Sequence, residues 1–214
     1  MNYSQNNEQE HILKYFGDYV GTFIDVGCND CETFSNTRAL ALKGWRGILI
    51  DCSPKAIEKC RKLYNGQKGI YIYDYAISNH NGKAILQDSG PLCSPADVGL
   101  VSTFHQHEKE RFQRTVKYEP VEVKTFKWKT AFNRWKIKQF DVINLDIEGD
   151  EMNVLPDIDL TLTKLVCIEW NGKTELKEKY ERYLSGFRVI YTSAENLVYA
   201  RPHEVKLPFD TINR

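Results

Sequence analysis

The chain has 214 residues, with Lys plus Arg and Asp plus Glu each totalling 29, so its formal net charge is zero. That length suits one domain with a substantial core, and the charge balance excludes a nucleic-acid binder that works through bulk electrostatics. No apolar run approaches membrane-spanning length, and the polar start MNYSQNNEQEH lacks the apolar segment of a signal peptide, which gives the expectation of a cytoplasmic protein.

A helix is predicted over residues 9–16, with Ile12, Leu13 and Phe16 facing inward. The run Thr22-Phe23-Ile24-Asp25-Val26 reads as a buried parallel strand. It breaks at Gly27, which has the backbone freedom for a tight turn and for close approach of a ligand. A second helix is predicted over 34–43, stopped by Gly44, and a second strand over 47–51. Ser53-Pro54 opens the next helix as N-cap and first helical residue. A third strand is expected over 70–73, and Asn81-Gly82 predicts a hairpin turn between Ile77-Ser78 and a strand over 84–86.

From Ser89 to Glu119 the pattern weakens, and this stretch is expected to be a functional loop or lid. A half-exposed strand follows over 121–125, then a helix over 128–135. Phe140 to Asp146 (FDVINLD) and Leu165 to Trp170 (LVCIEW) are the next buried strands. A helix over 174–184 leads to strands over 187–191 and 197–200, close enough to form a hairpin. Strands and helices alternate, so the expected fold class is α/β, a mostly parallel sheet with helices on both faces, in one domain over 1–214.

Six cysteines (Cys28, Cys31, Cys52, Cys60, Cys93, Cys167) are expected as reduced thiols. Cys28 and Cys31 have C-x-x-C spacing, but zinc needs two more ligands and no second closely spaced pair exists. Cys52, at the end of the neighbouring strand, is the thiol that could join them in a cluster of three. The blander reading makes them small residues lining a loop.

In open parallel sheets ligands bind beyond the carboxyl ends of the strands. Here strands end in Asp25, Asp51, Asp74, Asp146 with Glu148, and Glu169 with Asn171. Asp51 lies 24 residues beyond Gly27, about the separation at which a carboxylate reaches the ribose of a bound nucleoside. A dinucleotide site would carry G-x-G-x-x-G at the first turn, and no glycine follows Gly27 through Glu32. A nucleoside cofactor without a diphosphate fits better, with S-adenosylmethionine as the candidate.

FIDVGCND, SNTRAL, GW-GILID-SP, the Asp74 to Ser78 run, GLVST and FDVINLDIEGDE together resemble the FkbM family of S-adenosylmethionine-dependent methyltransferases. The resemblance implies a class I methyltransferase fold, a Rossmann-like three-layer sandwich with a seven-stranded sheet whose last strand is antiparallel. It implies methyl transfer to an oxygen of a sugar or related small molecule. Matched position by position, it places Asp25, Gly27, Cys28 and Asn29 under the methionine part of the cofactor. Asp51, Cys52 and Ser53 would then hold the ribose, and Asp74 and Tyr75 would flank the adenine. Cys31 stands where the family commonly has glycine, and Asp51 where it often has glutamate.

The Asp146 to Glu151 cluster follows a buried strand. An alcohol acceptor must lose its proton, and a strand-end carboxylate can take it, so Asp146 and Glu148 are the expected base candidates and Glu169 the third. Asp150 and Glu151 are read as favouring a helix N-terminus. A divalent cation on the same carboxylates is the minor reading. The expected partner is a small carbohydrate or glycosylated acceptor, with no nucleic acid or membrane and with a homodimer allowed for. The competing readings are a non-catalytic protein that binds the adenosyl cofactor, and a thiol-redox or NAD oxidoreductase.

Overall fold

The structure, a computed structural model, describes residues 1–92 and 98–202. The chain opens with α1 (Glu8–Phe16), β1 (Thr22–Val26), α2 (Arg38–Leu42), β2 (Arg46–Asp51) and α3 (Pro54–Leu63). Next come β3 (Ile70–Asp74), β4 (Ala76–Ile77), β5 (Gly82–Ser89), α4 (Gln106–Phe112), β6 (Tyr118–Phe126) and α5 (Trp128–Phe132). The remainder is β7 (Val142–Leu145), α6 (Glu151–Val154), a short 3-10 turn, β8 (Leu165–Glu169), α7 (Thr174–Tyr183), β9 (Arg188–Thr192) and β10 (Asn196–Ala200).

Seven strands form the main sheet in the order β3-β2-β1-β7-β8-β10-β9. The pairs from β3 through β8 are parallel, and β10 runs antiparallel to both its neighbours. Strand alternation splits the apolar residues between two cores. Ile24, Ile48, Ile143 and Val166 pack on the face covered by α5 and α7, with Trp128, Trp135 and Tyr180. Phe23, Leu49, Val142 and Leu165 pack on the other face against Ile12, Leu40 and Cys60 of α1, α2 and α3. This is the expected three-layer arrangement. Ile143 is 1 % exposed at the centre of the first core. Ile143→Ala is expected to cost about 2–5 kcal/mol, read as a lowered urea midpoint.

Two local predictions need correction. The Asn81-Gly82 step does not close a hairpin between its flanking strands. Instead β4 pairs parallel with the end of β6, and β5 pairs antiparallel along the whole of β6, making a separate sheet in the order β4-β6-β5. Asn81 Oδ1 accepts the N–H of Lys127 (2.9 Å), so its side chain ties β6 to this crossing instead of shaping a two-residue turn. The second helix begins four residues later than expected, at Arg38, because residues 34–37 are given over to a loop and a buried polar network. Its end follows the sequence. Gly44 (φ +86°) takes the left-handed position while Gly44 and Trp45 donate to the carbonyls of Ala41 and Leu40.

Candidate active site

The main sheet changes direction of winding between β1 and β7, and the ends of these strands open into a cavity of about 390 Å³. The turn after β1 is pinned from both sides. Gly27 and Cys28 both donate N–H groups to the carbonyl of Ile50 (2.9 and 3.1 Å), and Asp146 N–H donates to Val26 (3.0 Å). Gly27 adopts φ +85°, and a Cβ there would lie 1.6 Å from the Asp146 carbonyl oxygen. Beyond it, Asn29, Cys31 and Phe34 also sit at positive φ. Such a run of left-handed, side-chain-bearing residues costs energy and concentrates at functional loops. Asp30 holds the loop's far end by accepting from the N–H groups of Glu32 and Thr33 (3.0 and 2.7 Å).

Asp51 ends β2, and its two oxygens accept from the N–H groups of Asn29 (2.9 Å) and Ser53 (2.8 Å). Burial pushes its pKa up to about 6 against the pull of those donors. The Cys52 N–H also bonds this carboxylate, which leaves it acceptor capacity for a further partner. Asp25, 2 % exposed, is spent internally: it accepts from Thr37 Oγ1 (2.6 Å) and Asn144 Nδ2 (2.8 Å), and burial raises its pKa to about 6. Asn36 Nδ2 donates in turn to Asn144 Oδ1 (3.0 Å), while Asn36 Oδ1 is buried with no partner among the described residues.

Of the residues expected to hold the cofactor, Asp25, Gly27, Cys28, Asn29, Asp51, Cys52 and Tyr75 line the cavity. Ser53 is buried behind Asp51, orienting it through the backbone. Asp74 is not brought there: it is exposed and pairs with Arg61 (3.0 Å). Tyr75 is buried and accepts from Trp135 Nε1 (2.7 Å), forming with Ile77 and Leu86 an apolar wall.

The three expected base candidates do converge. Carboxylate oxygens of Asp146, Glu148 and Glu169 lie within 4.8 Å of one another. Burial, reinforced by the neighbouring carboxylates, pushes Asp146 up to about 8 and holds Glu148 and Glu169 well above the usual range. Asn171 Nδ2 donates to Glu169 (2.6 Å). Glu151 has a structural task, since it accepts from the N–H groups of Ile147 (2.9 Å) and Gly149 (3.3 Å) and so fixes the loop that presents Glu148. Asp150 lines the cavity, bound by Asn153 (2.6 Å) and His105 (3.2 Å).

Residues from 98–119 line one side of the cavity, and α4 overlaps the charged stretch 109–117, whose pattern reads as a solvated helix face. Phe104, Arg111 and Phe112 reach the cavity. Arg111 pairs with Glu108, which also holds Lys173 (2.6 Å). The opposite wall was unforeseen: Ser4 bridges to Phe34, Asn6 bonds Glu195, and Gln5, Phe34 and Glu195 all face the cavity. Asn144 had a readable signal, a polar residue inside an apolar run. Asn36 and Gln5 had none.

The thiols differ from expectation. Cys31 is disulfide-bonded to Cys60 of α3, so Cys60 and not Cys52 joins the C-x-x-C pair. Cys31 can reach it because its left-handed backbone (φ +63°) turns the side chain toward the helix. Cys28, Cys52 and Cys167 are free, and Cys93 lies outside the described residues.

A sheet of this order, with its final strand inserted antiparallel and an acid-rimmed cavity at the switch point, defines the class I methyltransferases. Solved structures similar to this fold include a methyltransferase from Geobacter sulfurreducens (TM-score 0.51, 9 % identity, 92 % of this chain and 80 % of that one) and the METTL16 methyltransferase domain (TM-score 0.50, 11 % identity, 90 % and 64 %). No curated protein matches in sequence. The family profile for the methyltransferase FkbM domain matches residues 25–189, and the chain belongs to that family. Among the described residues no helix is long and apolar enough to cross a membrane.

The fold implies S-adenosylmethionine, and the residues present fit it. Asp51 offers carboxylate acceptors for a ribose diol, Tyr75, Ile77 and Leu86 an apolar slot for a base, and Asn36 Oδ1 an unused buried acceptor.

Proposed function

We propose that this methyltransferase acts on a hydroxyl oxygen of a sugar or related small metabolite, with the Asp146–Glu148–Glu169 group as proton acceptor. The observation that carries this reading is the convergence of those carboxylates beside the Gly27–Asn29 turn. When bound, S-adenosylmethionine supplies a methyl group on a positively charged sulfur. Asp51 would hold the ribose, and Asn36 and the Gly27–Asn29 turn would face the methionine part. The carboxylate group positions the acceptor hydroxyl and takes its proton. Phe104 and Phe112 add apolar surface to the cavity wall, and Asn171, Gln5 and Glu195 offer polar contacts of the kind a polyol uses.

Charge narrows the acceptor. Among the described residues seven acidic side chains line the cavity (Asp25, Asp51, Asp146, Glu148, Asp150, Glu169 and Glu195), and Arg111 is the one basic residue there. Burial holds most of these carboxyls above their usual range, so the lining offers largely uncharged hydrogen-bonding surface, which favours a small neutral acceptor. From the basic stretch 109–117, the lining includes Arg111 but none of the lysines.

The donor side is tested by calorimetric titration. The wild type is expected to bind S-adenosylmethionine and not NAD. Asp51→Asn is expected to weaken that binding about 30- to 100-fold, since charge-assisted hydrogen bonds to a buried diol are lost. Binding of NAD in place of the adenosyl donor would defeat the reading. On the acceptor side, EDTA is expected to leave activity unchanged. Loss on chelation with recovery on adding Mg²⁺ would transfer the proton-releasing role to a metal ion.

A further inference from the structure

We propose that the Cys31–Cys60 disulfide is a reversible lock on the cofactor cradle: oxidised, it holds the loop after β1 against α3 in the form that binds the adenosyl cofactor, and reduction loosens that form. The inference rests on reading this loop as the cradle.

The cross-link joins positions 29 residues apart, one in the loop and one in the middle of α3. Its loop end lies two residues from the group that aims Asp51. Asn29 donates its N–H to Asp51 Oδ2 (2.9 Å), and the carbonyl of the same residue faces the sulfurs, 3.0 Å from Cys60 Sγ and 3.8 Å from Cys31 Sγ. The bond thus ties the sulfur cluster to the ribose carboxylate through a single residue. Asn29 and Cys31 both sit in the left-handed region, which residues carrying a Cβ leave when nothing holds them. The cross-link is the covalent restraint on this loop, and reduction leaves it held by hydrogen bonds, Asn29 N–H to Asp51 (2.9 Å) and Cys31 N–H to Cys28 (2.9 Å).

A third sulfur adjoins the pair: Cys28 Sγ is 3.5 Å from Cys31 Sγ and 3.9 Å from Cys60 Sγ. Burial holds the Cys28 thiol well above its ordinary pKa, with the nearby Asp51 charge adding to the effect. It therefore stays protonated and is a poor nucleophile for shuffling the bond. The exchange partner must come from outside. An external dithiol attacks one sulfur through its thiolate, breaking the S–S bond to give a mixed disulfide and one free cysteine. The reagent's second thiol then displaces the other cysteine. Two electrons and two protons end on Cys31 and Cys60, and the reagent leaves as its own disulfide. The reverse exchange with a disulfide oxidant restores the lock.

Both cross-linked sulfurs are 0 % exposed, so reagents reach them when the loop lifts. The loop's cavity-facing residues, Cys28, Asn29, Thr33 and Phe34, are the ones a bound cofactor would press down. Binding and oxidation are then linked, and each must favour the other by the same factor.

The test uses the full chain purified without reductant and titrated with S-adenosylhomocysteine, the demethylated cofactor. Peptide mapping after alkylation is expected to show a Cys31–Cys60 cross-link that dithiothreitol removes. The dissociation constant is expected to rise about tenfold on reduction, within the usual range of coupling between sites. Cys60→Ser and Cys31→Gly are expected to match the reduced protein and to ignore dithiothreitol, and glycine suits the backbone at position 31. Saturating S-adenosylhomocysteine is expected to slow reduction several-fold. Equal affinity in both states overturns the lock, as do three free thiols holding a stoichiometric soft metal. If neither state binds the probe, the cradle reading fails by itself, and hydrogen exchange over residues 28–34 decides the lock: exchange unchanged by reduction overturns it, and clearly faster exchange supports it.

Discussion

Gly27→Ala is expected to destabilise the protein by at least about 3 kcal/mol and to abolish S-adenosylmethionine binding. Two costs combine. Alanine at φ +85° occupies a backbone region that opposes a Cβ, at about 1–2 kcal/mol. That Cβ would also stand 1.6 Å from the carbonyl oxygen of Asp146, which is backbone and not the movable end of a side chain. Neither side can yield cheaply. The Gly27 and Cys28 N–H groups are both committed to Ile50, and Asp146 N–H is committed to Val26. Relief requires parting β1 from β7 where the cavity begins. Urea unfolding and calorimetric titration check the two halves separately. Wild-type affinity in a variant destabilised by less than about 1 kcal/mol would show that the turn does not have this geometry.

Asp146→Asn is expected to lower the turnover of any acceptor the wild type methylates by about 10²- to 10⁴-fold, the range for loss of a general base. S-adenosylmethionine affinity is expected to change far less. The same substitution is expected to stabilise the fold at alkaline pH, because the group is costly to ionise where it sits. Burial and neighbouring carboxylates raise the Asp146 pKa from 3.8 to about 8. Between those values the folded chain holds a proton that the unfolded chain has released, so its stability falls as pH rises through that window. The asparagine variant lacks this term. Its advantage over the wild type is expected to widen from about pH 4 to pH 8 and then level off, as read by thermal melts across the range. The wild-type rate is expected to rise towards about pH 8, where the carboxylate of the folded protein loses its proton, and then to level off. A variant that is both inactive and less stable at pH 9 would indicate a structural role for Asp146. Glu148→Gln is the comparison, since Asp146 is the neighbouring charge that raises Glu148 most after burial.

The main sheet was readable because its strands carry continuous apolar runs. Phe23 to Val26, Ile48 to Ile50 and Val142 to Leu145 are buried on both faces, and the residues that follow them, Gly27, Asp51 and Asp146, line the cavity. Asp51 and Asp146 stood out at such strand ends, Asp51 also by its spacing from Gly27 and Asp146 by the carboxylates that follow it. What stayed hidden depends on contacts far apart in sequence. The β5–β6 ribbon escaped because its residues alternate weakly and Asn81 serves Lys127. Cys60 lies on a helix whose inward face gives no sign of which loop residue it meets. Asp74 ends a strand as Asp51 does, yet β3 is the sheet's edge, and its last carboxylate turns to Arg61 and solvent. The wall made by Gln5, Phe34 and Glu195 joins segments nearly the whole described chain apart, which no local pattern encodes.

The position of β10 governs when the protein can fold during synthesis. Among the described residues it is the last strand of the sheet to be made, yet it lies between β8 and β9, pairing with both. Until residues 196–200 clear the ribosome, β8 presents an open edge and β9 has no partner in the sheet. At about 5–20 residues per second, the interval after β8 is made lasts a few seconds, a window in which exposed strand edges invite wrong pairing. A nascent chain arrested just before Asn196 should therefore remain protease-sensitive, and one arrested after Ala200 has emerged from the exit tunnel should become resistant.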